Sequence, residues 1–375
     1  MSTAINVNDY QVLAKKKLPK ALYEYLASGT DDEQTLSENR AAFKHWYLRP
    51  RVLRPVSSVR TNTTIFGTDF KVPFFVSPAG VMALCDKEGE CATARACGRI
   101  GTVFALSQHA TRSIEQVAER APNTQKWYQC YILKDRALTI SLLQRAKKAG
   151  YSAIILTVDS PRFGYREADA RNGFNALPPP HRLMNYETSN LDRTYNAAKH
   201  DSWDQNTELM FDTDSTWKDV HWIKQQCRMP LIVKGIHTCE DALLAMEAGA
   251  DGIMVSNHGG RQLDSALATI DILPEVVSVV NNRIPILIDG GFQRGTDIVK
   301  ALSLGATAVG LGKPIFFSLA VGGEEAVFNM FSLLKKELES AMALCGVSCI
   351  DDLDSSLITR HPGGSPVIRY QRAKL

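Results

Sequence analysis

The stretch PLIVKGIHTCEDALLAMEAGADGIMVSNH (230–258) reads as one strand–helix–strand unit. Its outer pieces, PLIVKGI (230–236) and GIMVSNH (252–258), are short apolar runs without strict alternation. Strands buried on both faces read this way. Between them Thr238 stands as an N-cap, Glu240 follows within the first turn, and the helical pattern stops at Ala248-Gly249. Two parallel strands need such a crossover, because a tight turn cannot join them.

The same alternation extends in both directions. Upstream lie PFFVSPAG (73–80), GTVFALS (101–107), KWYQCYI (126–132) and SAIILTVD (152–159); downstream lie PILIDGG (285–291) and AVGLGKP (308–314). Helical patterns fall at 111–120, 135–150, 216–227 and 294–305, with Leu138, Leu142, Leu143 and Ala146 at helical spacing in the second. Eight strand–helix units predict an α/β chain folded as a (β/α)8 TIM barrel, since a doubly wound sheet usually stops earlier. The barrel is expected over about 73–345, within one domain spanning 1–375. An N-terminal helical extension, about 7–47, precedes it. A long loop after strand four, about 161–213, carries Pro178-Pro179-Pro180; it reads equally as a lid and as a tolerated surface insertion.

Composition narrows the function. The 375 residues carry 43 Lys and Arg against 40 Asp and Glu, a net charge of +3 that points to neither nucleic acid nor a membrane surface. The opening MSTAINVNDYQVLAKKKLPK has no apolar core of a signal peptide. The apolar stretch 305–323 contains Lys313 and Pro314, and reads as a buried strand and turn instead of a membrane span. Eight scattered cysteines, none in a zinc spacing, read as free thiols in a reducing compartment, and no metal site is expected.

In such a barrel the reacting groups gather at the C-terminal ends of the strands. Those ends read Ser77-Pro78-Ala79-Gly80; Ser107-Gln108-His109; Gln129 and Tyr131; Thr157 and Asp159, then Arg162 and Arg166; Lys234; Ser256 to Arg261; Asp289-Gly290-Gly291; and Gly310 to Lys313. Singly, each is more often structural; converging, they describe an active site. His258 suits a general base, and Asp159 suits the group that orients and charge-stabilises the imidazole. Arg261 and Arg166 offer planar forks for a carboxylate. Lys234 can set a positive charge beside a cofactor that becomes anionic on reduction. These types imply a small carboxylate that loses a proton and two electrons. Glycines in IDGGFQRGTD (288–297) and GLGKP (310–314) stand where the last two strands meet helix N-termini. That is the usual phosphate position in this barrel, although glycines also simply make tight turns.

SNHGGRQLD (256–264) resembles the signature of the FMN-dependent 2-hydroxy acid oxidase and dehydrogenase family. The resemblance runs nearly end to end, through LPKALYEYLASGTDDEQTLSENR (18–40), LTVDSPRFGYREAD (156–169), LIVKGI (231–236) and LIDGGFQRGTDIVKAL (287–302). It implies FMN as cofactor and oxidation of a short L-2-hydroxy acid, such as glycolate or L-lactate, to the 2-keto acid. Molecular oxygen would be the acceptor, giving hydrogen peroxide; a dehydrogenase with another acceptor and an oxidative decarboxylation are the alternatives. By the same resemblance His258 would take the substrate proton, Asp159 would pair with it, and Tyr131 would sit near the hydroxyl. Arg261 and Tyr25, helped by Arg166, would bind the carboxylate, with His109 lining the substrate pocket. Lys234, Pro78, Ala79, Gly80, Ser107, Gln129, Thr157 and Ser256 would hold the flavin, and Asp289, Gly290, Gly291, Gln293, Arg294, Gly312 and Lys313 its ribityl chain and phosphate. Relatives are often tetramers or octamers, so a homo-oligomer is expected.

Some positions depart from the family pattern. Gln293 and Lys313 stand where two arginines commonly meet the phosphate, and Arg294 is the expected compensation. Gly80 replaces the usual alanine of oxidases, and His109 replaces a tryptophan, adding a titratable group. Leu26 and Phe163 shape the same pocket. The tail Ala373-Lys374-Leu375 resembles a peroxisomal address in a eukaryotic cell; without it the cytoplasm is expected. Two other classes remain open: an aldolase using Lys234 as a Schiff base, and a flavin-poor scaffold protein kept in play by Gln293.

Overall fold

A computed structural model describes residues 4–187 and 210–360. Strands are numbered β1 (Trp46–Leu48), β2 (Thr63–Ile65), β3 (Thr68–Phe70), β4 (Phe74–Ala79), β5 (Val103–Leu106), β6 (Gln125–Cys130), β7 (Ala153–Thr157), β8 (Leu231–Ile236), β9 (Gly252–Val255), β10 (Ile286–Asp289), β11 (Ala308–Leu311) and β12 (Ile358–Arg360). Strands β4 to β11 pair in parallel, in sequence order, and close into a barrel. All eight expected strands form, because their apolar side chains are buried from both sides.

The helices are α1 (Val7–Lys17), α2 (Lys20–Ala27), α3 (Gln34–Ala41), α4 (Glu90–Ile100), α5 (Ile114–Arg120), α6 (Arg136–Lys148), α7 (Glu167–Asn172), α8 (Trp217–Cys227), α9 (Cys239–Glu247), α10 (Thr269–Val280), α11 (Gly295–Ser303) and α12 (Lys313–Leu344). Thr238 caps α9 by accepting from the Asp241 amide at 3.2 Å. Helix α5 starts later than the sequence pattern suggested: Ser113 and Gln116 form a capping box there. The reading of 305–323 as strand and turn is half wrong. After β11 the chain turns at Gly312, and α12 runs on, kinked only at Gly322 and Gly323. Its first turns are apolar all round, so periodicity could not separate helix from strand.

The barrel interior is filled by Phe75, Ala105, Trp127, Ile155, Ile232 and Met254. The β2–β3 hairpin, which the sequence reading missed, closes the N-terminal end: Ile65 and Phe70 join that cluster, and Phe70 meets Trp127 edge-on at 6.2 Å. At the opposite end α1 to α3 cover the strand termini. Lys17 Nζ donates to the Val321 carbonyl at 3.2 Å, Tyr23 stacks on Phe317 at 5.9 Å, and β1 pairs with β12. The described part of the loop after β7 is anchored: Tyr186 is fully buried and accepts from Gln108 Nε2 at 2.8 Å, while Asn185 donates to the Gln108 carbonyl at 3.1 Å. The rest of that loop, and the Ala373-Lys374-Leu375 tail, lie outside the described residues.

Candidate active site

A cavity of about 210 Å³ opens at the C-terminal ends of the strands. Pro78, Ala79 and Gly80 line one wall, and Lys234, His258 and Arg261 another. Register shifts at the ends of β4 (Val76 to Ala79) and β8 (Lys234 to Ile236) sit at this rim. Such irregularities re-aim side chains beside sites.

His258, Asp159 and Lys234 form one charged cluster. Asp159 Oδ1 lies 2.9 Å from His258 Nδ1, and Asp159 Oδ2 accepts from Lys234 Nζ at 3.5 Å. The approach of β7 to β8 depends on Gly235: at φ +107, a Cβ there would stand 2.6 Å from the Asp159 Cβ. Burial alone would raise the Asp159 pKa, but Lys234 and His258 outweigh it and hold the carboxyl well below its usual range. Burial, and then Lys234, lowers the His258 pKa, against the pull of Asp159. A neutral imidazole with its Nδ1–H on Asp159 presents Nε2 as a base, a tautomer assigned from the partner.

The carboxylate-binding candidates cluster nearby. Arg261 Nη1 donates to the carbonyls of Tyr25 (2.7 Å) and Ser28 (3.1 Å), and its guanidinium stands over the Tyr25 ring at 5.2 Å. Burial and the neighbouring Arg166 lower its pKa to about 10, so it stays charged at neutral pH. Arg166 Nε pairs with Asp169 at 3.1 Å. Arg261 and Arg166 both line the cavity, and Arg261 is engaged only by carbonyls in the hydrogen bonds above, which suits an anionic ligand. Tyr131 and Phe211 stack with ring centroids 4.4 Å apart, and His109 lies on Phe211 at 5.7 Å and 8°. His109 does not add the titratable group expected at that position. Burial pushes its pKa down to about 4, and His258 pushes the same way, so its ring is a neutral aromatic wall. Its carbonyl also fixes Gly80, where a Cβ would stand 2.7 Å from that oxygen.

The flavin candidates fit an organic cofactor rich in hydroxyls and carbonyls. Two buried polar atoms, Gln129 Nε2 and Asp289 Oδ1, have no hydrogen-bond partner among the described residues. Their sister atoms are engaged: Gln129 Oε1 accepts from Ser107 Oγ at 3.1 Å, and Asp289 Oδ2 accepts from Ser77 Oγ at 2.9 Å. An acceptor for the first and a hydroxyl for the second are what a flavin ring and a ribityl chain would bring. Ser256 Oγ accepts from the His258 amide at 3.2 Å and so serves the His258 backbone. Thr157 is buried in register with Lys234 and lines a neighbouring cavity with Tyr131 and Phe211.

At the phosphate end the structure departs from the sequence reading. The amides of Gln293 and Arg294 donate to Asp297 Oδ2 at 3.1 and 3.0 Å, and the Gly295 amide donates to Glu337 Oε2 at 3.0 Å. The N-terminus of α11 is thus already satisfied by carboxylates. Arg294 is not the compensating arginine: its Nη1 pairs with Glu337 Oε1 at 2.8 Å, because α12 crosses this helix start. By contrast, the N-terminus of α12 carries no side-chain cap, and Gly312 has nothing within 4 Å of its Cβ position. Lys313 Nζ donates to the Gly259 carbonyl at 2.8 Å, and burial, then Arg261, pushes its pKa well down. A residue that the sequence reading passed over, Arg40 of α3, lines this end. It stands last in the 18–40 stretch whose resemblance was noted, but nothing local to it announced a cavity.

Comparison with known proteins agrees with this geometry. Residues 14–360 match the family model described as FMN-dependent dehydrogenase. The chain is 44% identical to glycolate oxidase 5 of Oryza sativa subsp. japonica, covering 94% of this chain and 95% of that protein. It is 42% identical to 2-hydroxyacid oxidase 1 of Homo sapiens, covering 96% and 97%. The solved structure of a Pediococcus acidilactici lactate oxidase superposes with a TM-score of 0.85 at 37% identity, covering 94% of this chain and 93% of that one. With its barrel, strand-end cluster and polar cradle, the chain belongs to the FMN-dependent dehydrogenase family, and FMN is its cofactor.

Proposed function

We propose that the site oxidises a short L-2-hydroxy acid, glycolate or L-lactate, to the 2-keto acid, with molecular oxygen as acceptor and hydrogen peroxide as product. The observation that carries this reading is the His258–Asp159–Lys234 cluster facing Arg261 and Arg166 across one cavity. The two arginines bind and orient the carboxylate, with Tyr25 beside them. Tyr131 stands at the hydroxyl end. His258 Nε2 accepts one proton from the substrate, and Asp159 stabilises the imidazolium that forms. Bound FMN supplies the sink for the second hydrogen and the two electrons. Lys234, buried in the cavity wall, would balance the negative charge that reduction of the flavin brings.

Gly80 favours a second reading, in which another acceptor replaces oxygen or the product is decarboxylated. It stands where oxidases of this family usually carry alanine, and the His109 carbonyl leaves no room for one. A homo-oligomer, and a peroxisomal location resting on the Ala373-Lys374-Leu375 tail, belong to the same proposal.

The test is the visible spectrum of the FMN-bound protein without oxygen. Glycolate or L-lactate should bleach the flavin band, and air should restore it with stoichiometric peroxide. A bleached flavin that air does not reoxidise selects another acceptor, and reoxidation by air with release of CO2 and no free peroxide selects decarboxylation. A flavin that stays yellow with both acids overturns the substrate assignment.

A further inference from the structure

We propose that Arg40, which belongs to the N-terminal segment and not to the barrel, is the guanidinium that grips the FMN phosphate in this chain. The proposal rests on FMN being the cofactor. Position is the first support. The chain at Asn39 and Arg40 lies directly on the glycine loop after β10: a Cβ at Gly291 would stand 1.9 Å from the Asn39 carbonyl oxygen and 3.2 Å from the Arg40 amide. Arg40 lines the cavity together with Gly290, Gly291, Gly312 and Lys313.

The partners of its side chain are the second support. Gln11 Oε1 accepts from Arg40 Nη2 at 2.6 Å. With the Gln293 amide oriented by its neighbours, its oxygen accepts from Arg40 Nε at 2.9 Å and its nitrogen donates to Asn8 Oδ1 at 2.7 Å. Both partners are neutral amides, and among the described residues no carboxylate pairs with Arg40. A guanidinium fixed by two amides keeps its charge for an anion. Gln293 is therefore a positioning residue for Arg40, which explains a neutral side chain where the resemblance expects a charged one.

The third support is the commitment of the neighbours. Glu337 holds Arg294, and Asp297 and Glu337 take the amides at the start of α11. Lys313 alone would face a phosphate of about −1.5 to −2 charge. Arg40, lining the same end of the cavity as Gly312 and Lys313, is the second cation.

The chain is stripped of flavin and titrated with FMN and with riboflavin, which lacks the phosphate, following flavin fluorescence. Arg40→Ala should weaken FMN binding by about tenfold or more, flatten its dependence on salt, and leave riboflavin binding within about twofold. Arg40→Gln, which keeps an amide for Gln11, should show the same selective loss. In a Gln293→Arg background the loss from Arg40→Ala should shrink, because a second fork then reaches the anion. Unchanged FMN binding in both variants, or equal weakening of FMN and riboflavin, would overturn the assignment. A wild-type chain that binds neither flavin would sink the FMN reading itself and this proposal with it.

Discussion

The two ends of the cavity were built on different principles. At the substrate end the reacting groups follow strand termini and are tied to their neighbours, His258 to Asp159, Asp159 to Lys234, and Arg261 to carbonyls of the N-terminal segment, which adds only Tyr25 of α2. At the phosphate end the barrel's own groups are spent on each other: Arg294 on Glu337, and the first amides of α11 on Asp297. There the open positions are the start of α12 and an arginine from outside the barrel. Chemistry at the first end demands sub-ångström placement, which rigid strand termini supply. Holding a phosphate demands charge within reach, and another segment of the chain can deliver that.

The contrast can be broken most sharply at His258. His258→Ala should cut flavin reduction by substrate by about 10³-fold while FMN stays bound, since a positioned base is worth about 10²–10⁴. Stopped-flow reduction near the wild-type rate would remove His258 from the chemistry. Next in size, Arg261→Lys should lower kcat/KM by about 10- to 100-fold, because the planar fork is lost while the charge remains. An unchanged kcat/KM would detach Arg261 from the substrate.

A smaller effect is expected from pH. The base works when neutral, and burial beside Lys234 lowers the His258 pKa below its ordinary 6.5. The neutral fraction therefore persists into mild acid. The kcat/KM profile should be flat from pH 8 down to about 6.5 and then fall about tenfold per unit, and His258→Ala should abolish that limb. A limb centred above pH 7 would contradict the charge balance of the cluster. Smallest of all, Arg294→Ala should change the FMN dissociation constant by less than about threefold, since its ion pair with Glu337 is half-exposed. A tenfold loss would return Arg294 to the phosphate and weaken the case for Arg40.

The substrate end was legible in the sequence for a physical reason. Strand periodicity locates the termini, and the barrel makes termini converge, so Asp159, Lys234, His258 and Arg261 could be named together. The phosphate end was only half legible. Its glycines mark close approach, and Gly291 does meet the backbone at Asn39, but neither the partner nor the direction is local information. Glu337 lies 42 residues beyond Gly295, and Arg40 lies 253 residues before Gln293. The titratable behaviour expected of His109 failed likewise, because its burial depends on Phe211 and Tyr131. The hairpin β2–β3 escaped notice because three-residue strands leave no periodicity to read.

The seam between β1 and β12 has a consequence for how the molecule is made. Trp46 pairs with Arg360, and α1 packs along α12, so segments within the first 50 residues are joined to segments beyond residue 312. On the ribosome the early segment has no partner while hundreds of residues are still being added. Barrel strands can pair successively during that time, each beside the one before. The site itself is complete only once the late helix has emerged and the early helices can settle onto it.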